Sequence, residues 1–220
     1  MALKIYGVAR SRTSRVLWMA HELGVPYEHV PVIQARRLAD PAKPGARLNT
    51  ASPAYLAINP NGKIPCIDDD GLVMQESLAI SLYLAKKHGG PLAPRDLAED
   101  GLMTMWALWA ATACEPHTVQ IIFHRVDYPE NKRDEAVVQA AISALDRPLQ
   151  VLDESLKKGG GFLVGQRFTV ADLNTAEIFR YAQPAPELLS AYKHVLAWLA
   201  ACQARPAHKK MMALRSSEQE

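Results

Sequence analysis

The chain has 220 residues, enough for one large domain or two small ones with real cores. Hydrophobic residues make up 49% and charged residues 22%, the balance of a soluble globular protein, and no run reaches the roughly eighteen apolar residues of a membrane span. The formal net charge of +2 hides an asymmetry: residues 1–63 carry +6 and residues 64–220 carry −4, which suits a small anionic ligand, while no dense basic run interleaved with aromatics is present to hold nucleic acid.

Taken in order, Leu3-Lys4-Ile5-Tyr6 reads as a strand ended by Gly7. Val16, Leu17, Met19, Ala20 and Leu23 repeat at helical spacing, and Gly24 stops that helix. Tyr27 to Val32 is a second strand. Residues 33–58 hold Pro41, Pro44, Pro53 and Gly45 and read as an irregular loop with one short helix near Pro53 to Ile58. Ile64 to Ile67 and Leu72 to Met74 form a hairpin around Asp70-Gly71. A helix from Ser77 to Lys87 closes at Gly89-Gly90. The order βαβ then ββα gives an α/β thioredoxin-like domain over 1–88, followed by a Gly- and Pro-rich linker over 89–95.

Strand signals then disappear, so 96–214 reads as an all-α helical-bundle domain. Leu97 to Phe123 is one helical stretch that Pro116 kinks or ends. Asp134 to Leu156 places Val138, Ala141, Ile142, Leu145, Leu149, Leu152 and Leu156 on one face, with a kink or break expected at Pro148. Thr169 to Tyr181, Glu187 to Ala201 and Pro206 to Leu214 complete the set, and the tail from Arg215 is expected to fray. Thr169 and Asp172 form a capping box, a structural role.

The first strand–helix loop lacks the Cys-x-x-Cys pair that disulfide exchange needs. It offers hydroxyls instead: Ser11, Thr13 and Ser14. Thr13 or Ser14 suits helix capping, whereas Ser11, further out, suits a ligand. A hydroxyl that donates to a thiolate favours the charged form, and a helix N-terminus adds positive potential. Cys66, Cys114 and Cys202 are scattered and read as small core residues in a reducing compartment, hence cytoplasmic. Glu115 and His117 show no metal-ligand spacing, and no metal site is expected. Trp106 and Trp109 suit core or pocket equally.

The run Asn59-Pro60-Asn61-Gly62-Lys63-Ile64-Pro65, then Gln75-Glu76-Ser77, with Ser11 four residues before Arg15 and the box at Thr169 to Asp172, resembles the cytosolic glutathione S-transferases, in their serine-type, bacterial-like form. The resemblance covers residues 3–214. It implies glutathione as cosubstrate, a homodimer, a role in detoxification, and a small, mostly apolar electrophile bound between the two domains by loop 7–12 and the helix around Met103 to His117. It implies a cis-proline at Pro65 that leaves the Ile64 main chain to pair with the peptide, Glu76 on the γ-glutamyl ammonium, Ser77 on its α-carboxylate, and Lys63 on the glycyl carboxylate, with Arg47 and Asn49 as weaker candidates. It also implies that Ser11 activates the thiol with Arg12 as auxiliary cation; Tyr6, the tyrosine-type position, stands too early. Neither membrane nor nucleic acid is implied as a partner. Two alternatives are a glutathione-dependent isomerase of the maleylacetoacetate type, whose Ser-Ser-Cys run the loop Arg10-Ser11-Arg12 lacks, and a non-catalytic dimeric binding module, in which the glutathione residues are usually lost.

Overall fold

A computed structural model describes residues 3–218. Contacts divide the chain into two compact units, one running through His88 and resuming at Pro206, the other Gly89–Arg205.

The first unit is built on a four-stranded sheet. Strand β1 (Leu3–Tyr6) runs to helix α1 (Thr13–Leu23), which crosses to β2 (Tyr27–Val30). A short helix α2 (Pro53–Leu56) precedes β3 (Cys66–Asp69), β4 (Leu72–Gln75) and α3 (Ser77–His88). The sheet order is β2-β1-β3-β4, with β1 parallel to β2 and the other pairs antiparallel. Parallel pairing of β1 and β2 demands a crossover, which α1 supplies. The tight β3–β4 turn has Asp70 and Gly71 both at positive φ, 54° and 91°, the two-residue geometry that matches strand twist. Gly24 ends α1 in the left-handed region at φ 64°.

Side-chain alternation divides the sheet's core. Tyr6 and Cys66 are register partners and lie in a cluster with Val8, Val32, Ile33, Tyr55 and Ile64. Ile5 and Ile67, also partners, are fully buried on the opposite face, where α1 and α3 pack. Tyr6 is therefore a core residue, and burial pushes its hydroxyl pKa up.

The second unit is helical. Helix α4 (Leu97–Trp109) is N-capped by Asp96, which accepts from the Glu99 amide at 2.8 Å. A π-helical turn over Ala110–Cys114 leads into α5 (Glu115–Ile122). This turn lies where Pro116 has no N–H to give and its ring crowds the preceding turn; the wider register absorbs the proline without stopping the chain. Helix α6 (Glu135–Lys158) buries Val138, Ala141, Leu145, Leu149, Leu152 and Leu156. It runs unbroken through Pro148, so the break considered from sequence does not occur; the continuous buried stripe outweighs one lost hydrogen bond.

Helix α7 (Val170–Phe179) is buried along its whole length. Its box is complete: Thr169 accepts from the Ala171 amide, and Asp172 Oδ2 accepts from the Thr169 amide at 2.9 Å. Asp172 Oδ1 also takes the Leu163 amide and the Trp198 indole N–H, each at 3.0 Å. The single helix expected over 187–201 is instead two, α8 (Pro186–Leu189) and α9 (Lys193–Ala204). The start of α9 is fixed from outside it. Asp153 Oδ1 accepts the His194 and Val195 amides at 2.8 and 3.0 Å.

Helix α10 (Pro206–Ser217) groups with the sheet unit, whereas the sequence reading put residues up to 214 in the helical domain. It packs on α1, with the ring of His208 edge-on to Trp18 at 4.7 Å and Met211 fully buried. The expectation of a frayed tail from Arg215 is corrected through Glu218: Arg215 and Glu218 hydrogen-bond the β1–α1 loop. No helix among the described residues is long and apolar enough to cross a membrane.

Candidate active site

The residues singled out in the first unit converge on one end of its sheet. Register does part of this. Cys66 is the shared partner of Tyr6 and Gln75, so the residues flanking those three meet: loop 7–12 after Tyr6, Ile64-Pro65 before Cys66, and Glu76-Ser77 after Gln75. Gly7 makes the close approach possible. At φ 134°, a Cβ there would stand 2.1 Å from Thr13 Oγ1 and 3.1 Å from Ile64 Cβ. Asn61 Nδ2 donates to Gln75 Oε1 at 2.8 Å, fastening the second segment to the third.

The segment Asn59 to Pro65 is held from behind. The Lys63 carbonyl accepts from Tyr55 Oη at 2.5 Å and from Asn59 Nδ2 at 2.7 Å. Asn59 Oδ1 takes the Asn61 amide, a side-chain turn, and Gly62 at φ 56° lies where a Cβ would sit 2.9 Å from the Thr50 carbonyl. Both main-chain and side-chain groups thus fix Ile64, whose bond to Pro65 is cis. The Lys63 side chain is exposed. Asn49, a candidate from sequence, is buried and spent on the loop: its amide donates to the Pro41 and Arg47 carbonyls and its oxygen accepts from Ala51.

Glu76 is exposed and stands at φ 71°, in the left-handed region that a non-glycine residue occupies at a cost of about 1–2 kcal/mol. Strain of this kind gathers where a side chain must be aimed. Its carbonyl accepts the Ile80 amide, so Glu76 sits in the capping position and Ser77 is already helical. Ser77 Oγ is not a cap. It accepts from Arg15 Nη1 at 3.0 Å, which leaves its own hydrogen to give. Arg15 is only 1% exposed, a cation set among Val16, Leu17 and Met19 on the buried side of α1. From sequence Arg15 stands out only by its spacing from Ser11; the signal for its contact with Ser77 is an arginine inside an apolar stripe.

On the loop, Ser11, Thr13 and Ser14 are all buried, and Ser11 alone retains measurable exposure, at 8%. Ser11 Oγ donates to the Val8 carbonyl at 2.6 Å and accepts the Thr13 amide at 3.1 Å. Thr13 Oγ1 lies 2.8 Å from Ser11 Oγ. Ser11 has one hydrogen, committed to Val8, so Thr13 is the donor in that pair. Ser11 therefore holds the first turn of α1, the work expected of Thr13 or Ser14, while two donors feeding its oxygen polarise its O–H. Arg12 is exposed at the head of α1.

Cys66, Cys114 and Cys202 are free and buried. Burial pushes the Cys66 thiol up to about 11 and the Cys114 thiol up to about 12, so both stay protonated and inert near neutral pH. In the second unit Trp106 is buried and meets Trp109 edge-on at 5.0 Å, while Glu115 is buried in α5. Among the described residues no group of three His, Cys, Asp or Glu gathers as for a metal.

Two family models match the chain: the glutathione S-transferase N-terminal domain over residues 5–92 and the C-terminal domain over 109–206. Glutathione S-transferase 3 of Zea mays is 32% identical, over 96% of this chain and 93% of its own. A theta-class glutathione S-transferase from the citrus canker pathogen Xanthomonas axonopodis pv. citri, solved with glutathione bound, aligns with a TM-score of 0.77 at 30% identity, covering 95% of this chain and 96% of that one. The maize glutathione S-transferase I in complex with an atrazine–glutathione conjugate aligns with a TM-score of 0.84 at 28% identity, covering both chains fully at 100%.

Proposed function

The chain belongs to the glutathione S-transferase family, and we propose how its own residues perform that reaction. The protein is an enzyme that joins the thiol of glutathione, its cosubstrate, to an electrophile. The γ-glutamyl end lies over the start of α3, with its ammonium on Glu76 and its α-carboxylate receiving the Ser77 hydrogen. The cysteinyl main chain pairs with Ile64 ahead of Pro65 as an added strand would. Lys63 reaches the glycyl carboxylate. The thiol then faces Ser11. Its proton leaves to solvent, and Ser11 turns its hydrogen from the Val8 carbonyl to the thiolate, with Arg12 adding positive potential. The thiolate attacks the electrophilic carbon, a C–S bond forms, and the leaving group departs with its electron pair.

Two contacts carry this reading: Arg15 Nη1 on Ser77 Oγ and Gly7 against Ile64 bring the three segments together near the head of α1. The electrophile is small and mostly apolar. On α4, the exposed Leu102, Met105 and Leu108 recur at helical spacing, and a second copy of the chain covers them in a homodimer. Three free, buried cysteines fit a reducing cytoplasm.

Replacing Glu76 by glycine tests the site cleanly. Glycine relieves the φ 71° strain while removing the carboxylate. Calorimetry should show glutathione Kd rising about tenfold, from loss of roughly 1.5 kcal/mol of charge-assisted bonding, while thermal stability holds or rises. Unchanged affinity would remove Glu76 from the site.

A further inference from the structure

The β1–α1 loop is gripped from the far end of the chain. Glu218, which continues the last turn of α10, places its carboxylate on two successive loop amides: Oε1 accepts from Ala9 at 2.8 Å and Oε2 from Arg10 at 3.2 Å. Arg215 Nη1 donates to the Ala9 carbonyl at 2.8 Å. The grip is reciprocal. Arg10 Nε donates to the Arg215 carbonyl at 3.2 Å, at the helix end where carbonyls lack partners and a cation is favoured. On the other side of the loop, His29 Nε2 lies 2.7 Å from the Gly7 carbonyl and 3.9 Å from Glu218 Oε1. Carbonyls or amides of Gly7, Ala9 and Arg10 are thus all held, two residues or fewer from Val8, whose carbonyl receives the Ser11 hydrogen.

A bidentate carboxylate on adjacent amides fixes the orientation of the peptide plane between them as well as its position. The peptide planes from Val8 to Arg10 set where Ser11 Oγ lies. Burial of His208 and Met211 against α1 anchors the helix that delivers the carboxylate, so the grip is stiff. We propose that Glu218, with Arg215, is a positioning residue for thiolate activation. It acts through Ser11, 207 residues away in sequence, by holding the loop at the distance the thiolate hydrogen bond needs. This rests on the Ser11 assignment made above.

The test is a double-mutant cycle on the full chain, with glutathione and an aryl chloride as substrates. Glu218→Ala should raise the pKa of the bound thiol by up to about one unit and lower kcat at neutral pH by up to roughly threefold, the ceiling set by losing the Ser11 hydrogen bond altogether. KM for glutathione should stay near the wild-type value, since Glu76, Ser77 and Ile64 are untouched. Glu218→Gln, which keeps the shape and one acceptor, should give a smaller effect of the same kind. In wild type the Ala9 and Arg10 amides should exchange slowly with solvent, and in Glu218→Ala rapidly, while α1 keeps its protection. Added to Ser11→Ala, Glu218→Ala should change neither thiol pKa nor kcat further. If Ser11→Ala shifts the thiol and Glu218→Ala does not, or if the two effects add in full, the inference is overturned and the Ser11 assignment stands. If Ser11→Ala is silent, the Ser11 assignment falls and the inference falls with it.

Discussion

Ser11→Ala is the sharpest perturbation, because the structure shows what the hydroxyl gives up in order to act. In the structure its hydrogen is given to the Val8 carbonyl at 2.6 Å. A neutral bond of that kind contributes about 0.5–1.5 kcal/mol, and a bond to a thiolate about 1.5–3 kcal/mol. The net preference for the thiolate is the difference, roughly 1–1.5 kcal/mol, or about one pKa unit at ~1.36 kcal/mol per unit. Ser11→Ala should therefore raise the bound thiol's pKa by about one unit. Below that pKa the thiolate population falls about tenfold, but a more basic thiolate is more nucleophilic by roughly threefold for a Brønsted slope of about 0.4–0.5. The rate at neutral pH should drop roughly threefold; the deficit should disappear as pH approaches the new pKa and become a gain of up to roughly threefold above it. The same change orphans the Thr13 amide and hydroxyl, both fully buried, so stability should also fall by about 1–3 kcal/mol. Thiolate absorbance titrated against pH, beside thermal melting, separates the two effects. A lower melting temperature with an unshifted thiol pKa would refute the argument, leaving Ser11 as a turn residue and the thiolate to Arg12 and nearby main-chain amides.

Two further predictions concern the fold of the second unit. Thr169→Ala removes both the cap on the Ala171 amide and a donor to Asp172, and should lower stability by about 1–2 kcal/mol with unchanged turnover per folded molecule, checked by melting curves and activity normalised to folded protein. Glu99 is held down to about 2 by its hydrogen bonds from Arg167 and then from the Arg95 amide. A carboxyl depressed in the folded state stabilises fully above its ordinary value of 4.5 and loses that stabilisation as pH falls towards about 2. Melting temperature followed from pH 5 downward should fall less steeply in Glu99→Gln than in wild type, and parallel curves would count against the pairing.

The elements legible in the sequence are those whose partners lie a few residues away. The Asp70-Gly71 turn, the Gly24 stop and the Thr169–Asp172 box each close within four residues, so composition and spacing suffice to place them. The order of strands and helices followed, and with it the sheet. What the tertiary structure alone decided involves partners far apart in the chain. The helix expected over 187–201 divides because Asp153, some forty residues earlier, takes the first-turn amides of His194 and Val195 and fixes a new start at Lys193. Pro148 sits inside a helix because a buried stripe holds both sides of it. Arg15 reaches Ser77, and the last helix returns to α1 to hand Glu218 to the Ala9 and Arg10 amides. In all of these but Pro148 a polar side chain chooses between water and a distant partner. The local sequence is the same for either choice; only packing, by removing the water, makes the distant partner the better one.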